Sequence, residues 1–238
     1  MSAHVQTPHP PLRIAVTGGT SGLGLALVRG FLRRGARVAF VARTASAVAA
    51  VAADTGANGI VGDVARKDDI HRIALQAGAA LGGLDVLVNN ASDLGPVPLA
   101  LLADTDCEDF ERALQTNLLG PFRLSKALLG ALAGAAREGR GGVIANISSD
   151  AAVTPYETWG AYGASKAALH HLSHIWDAEL GAEGVRVLSL DPGDMDTPMH
   201  AAAMPGADRA ALQRPEVAAE GIIAAVLAAL PAAQRVSP

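Results

Sequence analysis

Six short apolar runs, each followed by a stretch of helical patterning, constrain this chain more than any other feature of its sequence. They are Arg13–Val16, Arg37–Val41, Gly59–Val61, Asp85–Asn89, Val143–Ile147 and Val185–Leu190. Several lack the polar alternation of a strand with one wet face, so both of their faces must be covered. Covered strands alternating with helices predict an α/β fold built on a parallel, doubly wound sheet. Helices are expected over Gly22–Arg34, Ala45–Asp54, Asp68–Leu81, one long span Asp106–Arg137, and Gly160–Leu180, with Gly35 closing the first. Pro192, Pro198 and Pro205 break the region after the sixth run into a loop with short turns, and a last helix follows from Pro215 to Leu230.

No internal repeat and no linker divides the 238 residues, so one domain over residues 12–238 is expected, behind a Pro-rich, disordered tail at residues 1–11. With 2 Trp, 2 Tyr and 4 Phe there is no aromatic platform for stacking bases, and a net charge of −4 with scattered basic residues offers no phosphate-binding face. Nucleic acid and membrane are therefore excluded as partners. The apolar run Gly221–Leu230 is too short to span a bilayer. Cys107 is the only cysteine, which rules out an intrachain disulfide and suits a reducing, cytoplasmic setting. His170, His171 and His174 cluster without a carboxylate or thiol at metal-site spacing, so they read as helix surface or oligomer contact, and no metal is expected.

Chemistry enters with the turn "TGGTSGLG", Thr17 to Gly24, which follows the first strand and opens the first helix. Its Gly18, Gly22 and Gly24 let backbone N–H groups and a helix N-terminus approach a pyrophosphate with no Cβ in the way. An acidic residue at the end of the second strand would hold the ribose 2′-hydroxyl of NAD. Ala42 and Arg43 stand there instead, leaving room for a 2′-phosphate and offering it a planar cation, so NADP is favoured. A third signal is "AYGASK", Ala161 to Lys166: one of only two tyrosines sits four residues before one of only three lysines, on one helix face. The spacing also suits a plain surface pair in which a lysine stem covers a ring.

These motifs, with "NNAS" at Asn89–Ser92 between them, resemble the compact single-domain branch of the short-chain dehydrogenase/reductase family over about Leu12 to Leu230. The resemblance implies a Rossmann-type fold and an oxidoreductase that interconverts a carbonyl and a secondary alcohol. It places the glycine turn on Thr17, Gly18, Thr20, Ser21, Gly22, Leu23 and Gly24, and an adenine-contacting Asp-Val pair on Asp63 and Val64. The family's N-N-A-G falls on Asn89, Asn90, Ala91 and Ser92, with Ser in place of Gly, and its late P-G-x-x-x-T falls on Pro192, Gly193 and Thr197, with Met195 between them.

Four catalytic residues follow from the resemblance: Asn117 in "LQTNLLGPF", Ser149 in "NISS", Tyr162 and Lys166. An unaided tyrosine has a pKa near 10 and is a poor acid–base at neutral pH, so Lys166 and an oxidised nicotinamide are expected to lower the pKa of Tyr162. Ser149 is expected to hydrogen-bond the substrate oxygen, Lys166 to hold the nicotinamide ribose, and Asn117 to keep a water that links Lys166 to solvent. The substrate pocket should draw on residues 94–97 and 151–154, with Tyr156, Trp159, Asp194, Met195 and Met199, a lining that does not favour an anion.

Two other readings share these motifs. An epimerase or dehydratase normally carries a larger C-terminal substrate domain, and an NADP-binding regulator would be expected to have lost part of the catalytic set. Most of the family adds a seventh strand, for which only Gln234–Ser237 remain here, so that strand is expected to be short or missing. Either a homodimer through Asp106–Arg137 and Gly160–Leu180 is expected, with the edge of the sixth strand shielded by the Pro215–Leu230 helix and a tetramer as a further assembly, or else a chain that aggregates in isolation.

Overall fold

The computed structural model of the chain describes residues 10–232. Strands β1 (Arg13–Thr17), β2 (Arg37–Ala42), β3 (Asn58–Val61), β4 (Val86–Asn89), β5 (Gly142–Ile147) and β6 (Val185–Leu190) form one parallel sheet in the order β3-β2-β1-β4-β5-β6. The helices are α1 (Gly22–Arg33), α2 (Ala45–Thr55), α3 (Lys67–Leu81), α4 (Cys107–Leu114), α5 (Gly120–Arg137), α6 (Gly160–Leu180), α7 (Pro198–Ala203) and α8 (Pro215–Ala229). Alternate residues of each strand feed opposite layers. Ile14 and Val16 of β1 pack with α1 and α8, while Ala15 faces the layer that holds α3 and α5. Both faces are thereby covered, the physical reason the strand sequences show so little polar alternation. Strand order reverses between β1 and β4, and a parallel sheet opens a crevice at the carboxyl ends of its strands at such a point.

The long helix expected over Asp106–Arg137 is interrupted. Between α4 and α5, residues Gln115–Leu119 form a π-helical turn in which the Gly120 N–H donates to the carbonyl of Gln115, five residues back. Pro121 helps to explain it, since it has no N–H to offer the carbonyl of Asn117 four residues earlier. A Cβ on Gly120 would lie 2.8 Å from the carbonyl oxygen of Val64, so the turn also depends on a close backbone approach. The extra residue rotates Asn117 into the interior, where it is fully buried.

One expectation about the sheet's margin needs correcting. Helix α8 does not shield the edge of β6: it packs over a face of the sheet beside α1, with Ala219, Ile222, Ile223 and Val226 in the core. On β6 itself, the Val187 N–H donates to Asp177 of α6 at 2.8 Å, and Arg186 grips the same carboxylate at 2.9 Å. A side-chain carboxylate thus occupies a backbone donor of this strand, one of the ways an edge avoids pairing with another chain. Residues 1–9 of the expected disordered tail and the expected seventh strand at Gln234–Ser237 lie outside the described residues. Pro11, placed in that tail by its sequence, is held: its carbonyl accepts from Arg140 Nη2 at 2.9 Å.

At the amino ends of the strands, Asp85 is fully buried between two guanidiniums, with Arg13 Nη2 at 2.7 Å and Arg140 Nη2 at 2.6 Å. At the carboxyl ends, Asn89 Nδ2 donates to Asn146 Oδ1 at 2.8 Å and to Ser125 Oγ at 3.1 Å, and Asn146 Nδ2 donates to Ser173 Oγ at 2.9 Å. This buried ladder joins β4, β5, α5 and α6. With each polar group partnered, it fixes the strand ends from which the site is built.

Candidate active site

The turn after β1 leaves a cleft of about 310 Å³ at the switch point. Its glycines are required by contact. Gly18 has φ +70°, and a Cβ there would lie 2.9 Å from Asn90 Nδ2; one on Gly24 would come within 2.1 Å of the Gly18 carbonyl oxygen. The Ser21 side chain makes no capping bond at the start of α1, so it does not compete for the first-turn N–H groups. Those groups, the bare glycine backbone and the depth of the cleft fit a dinucleotide pyrophosphate.

Lining the cleft are Gly18, Thr20, Ser21, Gly22, Leu23 and Gly24 from the turn, Arg43 after β2, and Asp63 and Val64 after β3. Asn90, Ala91 and Ser92 follow from β4, then Tyr162 and Lys166 from α6, and Pro192, Met195 and Thr197 from beyond β6. Two expected contacts lie elsewhere. Thr17 is 2 % exposed and its Oγ1 accepts the N–H groups of Asn90 and Ala91, both at 3.0 Å, so it shapes the loop after β4 from behind. Gly193 lines the neighbouring cavity instead. Thr116 and Ser148, neither of them among the expected site residues, also line the cleft. Ser148 Oγ is buried with no hydrogen-bond partner among the described residues, a state that marks a place where a ligand group is wanted.

The four candidate catalytic residues are drawn together by β5, α6 and the π-helical turn. Lys166 Nζ donates to the Ile147 carbonyl at 2.7 Å and lies 5.4 Å from the centre of the Tyr162 ring. Ser149 follows β5; its Oγ donates to Asp150 Oδ1 at 2.9 Å and accepts from the Ala151 N–H at 3.2 Å. Asn117 Oδ1 accepts from the Asp93 N–H at 2.8 Å and the Ser92 hydroxyl at 3.1 Å, while its Nδ2 donates to the Asp93 carbonyl and Ser165 Oγ, each at 2.8 Å. All of the Asn117 amide is thus engaged by protein groups. Ser92, where the family motif has Gly, uses its hydroxyl to join this network.

Electrostatics depart from the sequence expectation. Burial pushes the Tyr162 hydroxyl up to about 12, helped by the charges of Asp191 and Asp150, while hydrogen bonding with Ser149 and Ser92 opposes the rise. Burial pulls the Lys166 ammonium down to about 8, with Asp191 opposing. The chain alone therefore holds the tyrosine protonated rather than lowering its pKa, because removing the phenolate from water outweighs the donors around it. A second cavity of about 420 Å³ adjoins the cleft, with Ser148, Ser149, Tyr156, Trp159, Tyr162 and Met204 in its lining. Among the described residues there is no group of His, Cys, Asp or Glu that could hold a metal ion, and no helix long and apolar enough to cross a membrane.

The profile of the family described as short chain dehydrogenase matches residues 13–207. Momilactone A synthase of Oryza sativa subsp. japonica is 35% identical over 218 residues, covering 89% of this chain and 77% of the relative. Serine 3-dehydrogenase of Agrobacterium fabrum is 33% identical over 187 residues, covering 77% of this chain and 72% of the relative. Among solved structures, a 3-ketoacyl-(acyl-carrier-protein) reductase from Brucella melitensis complexed with NADH superposes with a TM-score of 0.83 at 26% identity, covering 94% of this chain and 93% of that one.

Proposed function

The chain belongs to the short-chain dehydrogenase family, and on that premise we propose that it is an NADP(H)-dependent oxidoreductase in which Tyr162 is the general acid and base. The coarser activity is the family's own: interconversion of alcohols and carbonyls with a nicotinamide dinucleotide. The observation that carries the finer reading is the convergence of Tyr162, Lys166 and the unpartnered Ser148 on the glycine-walled cleft, with Ser149 beside them in the adjoining cavity.

When bound, the dinucleotide supplies the hydride acceptor or donor. The protein's part is to orient it and to move one proton. Gly18, Thr20, Ser21, Gly22, Leu23 and Gly24 would hold the pyrophosphate against the start of α1; Asp63 and Val64 would border the adenine; Asn90, Ala91, Ser92, Pro192, Met195 and Thr197 would border the nicotinamide half. Arg43, exposed at the mouth of the cleft beside Ala42, supports NADP over NAD because a guanidinium can clamp a 2′-phosphate in two bonds. During alcohol oxidation Tyr162 takes the hydroxyl proton, and during reduction it returns it. Ser149 donates to the substrate oxygen, with Asp150 as its resting partner. Lys166, one helical turn from Tyr162, adds positive charge beneath the ring, and Asn117 holds the loop carrying Ser92 and Asp93 in register with α6.

Residues 12–238 acting as one catalytic domain, a homodimer through the long helices and a cytoplasmic location complete the proposal. The exposed Ile175 on α6 supports the dimer, and the exposed thiol of Cys107 suits a reducing compartment. Tyr162→Phe tests the central claim, since it removes the transferable proton and keeps the ring. Turnover on a panel of secondary alcohols and ketones should fall at least about a thousandfold, with NADPH affinity nearly unchanged. Residual activity near that of the parent would point to another acid. NADPH binding with no turnover of any substrate by the parent protein would favour a dinucleotide-binding regulator.

A further inference from the structure

The 420 Å³ cavity beside the cleft is lined by three carboxylates, Asp150, Asp191 and Asp194. Asp191 is balanced from within, because its charge acts on the buried ammonium of Lys166. Asp150 is held only by neutral donors: Ser149 Oγ at 2.9 Å and the Ala151 N–H at 2.8 Å on Oδ1, and the Tyr156 hydroxyl at 2.7 Å on Oδ2. Neither Asp150 nor Asp194 forms an ion pair among the described residues, although Asp196, two positions on, pairs with Arg209 at 2.8 Å. Among the described residues that line the cavity, His200 is the only basic side chain. The wall therefore carries surplus negative charge that no protein cation meets.

Two rings share that wall. Trp159 stands edge-on to Tyr162 with ring centroids 5.6 Å apart, and Tyr156 reaches the Asp150 carboxylate through its hydroxyl. The Tyr156 hydroxyl is pushed up first by the bond to Asp150 and further by the charge of Asp194, which places both carboxylates within electrostatic reach of one ring. The chain reaches this arrangement through Thr158, the one non-glycine residue among those described with a positive φ, at 69°. Such a backbone is strained and has to be held by its surroundings. Leu94, Met199 and Met204 add apolar surface to the same lining. Independently of the acids, Ser148 Oγ lines this cavity too, buried and without a partner among the described residues, a donor free for a ligand oxygen.

Rings and carboxylates with no ion-pair partner among the described residues stand directly beside the hydroxyl donors and the general acid, since Asp150 accepts from Ser149 Oγ at 2.9 Å and Trp159 lies against Tyr162, so a ligand that meets both carries a positive head close to its reactive oxygen. Aromatic faces backed by carboxylates attract ammonium groups, most strongly when the cation is partly desolvated. We infer that the substrate is a small secondary alcohol or ketone bearing an ammonium headgroup, with the head between Asp194, Asp150 and the rings of Tyr156 and Trp159, and the oxygen toward Ser149 and Tyr162. The inference rests on the oxidoreductase reading. The headgroup takes no part in the redox step, in which the alcohol carbon loses a hydride to the dinucleotide and the alcohol oxygen loses a proton to Tyr162.

The experiment compares three alcohols of one length with the full chain and NADP: hydroxypropyl-trimethylammonium in its secondary-alcohol form, the neutral alcohol in which carbon replaces its nitrogen, and a hydroxycarboxylate. The cationic alcohol should exceed the neutral one in kcat/KM by about tenfold or more, the carboxylate should be slowest, and Asp194→Asn should lower the cationic-to-neutral ratio at least severalfold. Binding is read separately in a Trp176→Phe background, where Trp159 is the remaining tryptophan of the two in the chain, by fluorescence quenching with tetramethylammonium. Equal rates across the series, or preference for a neutral polyol, overturn the inference while leaving the dehydrogenase standing. No oxidation of any alcohol, with quenching that Asp194→Asn abolishes, sinks the dehydrogenase reading and keeps the cation site.

Discussion

Replacing Asp85 with Asn should destabilise the chain severely and leave its chemistry almost untouched. The carboxylate is 0% exposed and accepts from the Arg13 backbone N–H at 2.8 Å, Arg13 Nη2 at 2.7 Å, and Arg140 Nε and Nη2 at 2.9 and 2.6 Å. An asparagine keeps one acceptor oxygen, turns its amide donors toward a guanidinium, and leaves two cations facing each other with no anion between them. Breaking a buried pair in this way costs about 3–5 kcal/mol. For a chain of this size each kcal/mol lowers Tm by about 2–4 °C, so a fall of roughly 6–20 °C is expected. Arg140 also holds the Pro11 carbonyl, so the lead into β1 should loosen as well. The pH dependence follows from the Asp85 pKa. Burial, the largest influence, raises it, but the bonds from Arg140 and Arg13 together outweigh burial and the net shift is downward. A lowered carboxylate stabilises above the unfolded value near 4, and that stabilisation disappears as pH falls through the folded value. The Tm difference between parent and variant should therefore be full at pH 7 and shrink below about pH 4. Thermal unfolding followed by circular dichroism at several pH values is the assay, with kcat/KM measured well below the transition as the control, since Asp85 lies at the opposite end of β4 from the cleft. A Tm within about 2 °C of the parent at pH 7, or a difference that does not change with pH, would refute the reasoning.

Two further outcomes test the cleft. Arg43→Ala should weaken NADPH about tenfold or more and leave NADH binding unchanged, read by fluorescence titration of each cofactor; an equal loss for both would mean that Arg43 contributes only general attraction. Lys166→Met should abolish turnover and also remove a pH effect on stability. The Lys166 pKa of about 8 lies below the unfolded value near 10.4, so between those values the unfolded chain holds the proton more tightly and the parent gains stability as pH rises. The variant should show no such gain between pH 8 and 10, and parallel stability curves for the two proteins would contradict the buried-ammonium account.

Much of this architecture is legible in the sequence because it rests on local chemistry. A strand covered on both faces has to be apolar at nearly every position, as Val38 to Val41 are, and Gly35 at φ +74° closes α1 because few other residues adopt that backbone. What was not legible depends on partners distant in the chain. The π-helical turn exists for the contacts of Asn117 with Asp93 and Ser165, respectively 24 and 48 residues away, and a window of helical periodicity cannot register them. Thr17 belongs to a motif that suggests cofactor contact, yet its hydroxyl is spent on the loop 73 residues on. The edge of β6 is protected by Asp177, an ordinary helix-surface residue until Val187 is laid beside it. The upward shift of Tyr162 escaped for the same reason. The spacing to Lys166 can be read from the sequence, but the degree of burial cannot, and burial is the larger influence.

That shift ties the pocket to the proton. A tyrosine held near 12 is ionised to about one part in ten thousand at pH 8, so a catalytic base made from it needs its surroundings to change when the site fills. After burial, and against hydrogen bonding with Ser149 and Ser92, the charges of Asp191 and Asp150 are what hold it up, and Asp150 is also one of the carboxylates assigned to the ammonium headgroup. A cation seated against Asp150 offsets that charge and so lowers the Tyr162 pKa from a few bonds away, in addition to anchoring the substrate. Headgroup charge should then appear in kcat as well as in KM, because it acts on the ionisation of the base within the bound complex. Measured for alcohol oxidation, the rising limb of the pH profile for kcat should lie at lower pH with the cationic alcohol than with its neutral isostere. With Asp150→Asn the two limbs should move together. If they coincide in the parent protein and only KM distinguishes the substrates, the carboxylates bind the head without reaching the acid, and Tyr162 must be tuned by the dinucleotide alone.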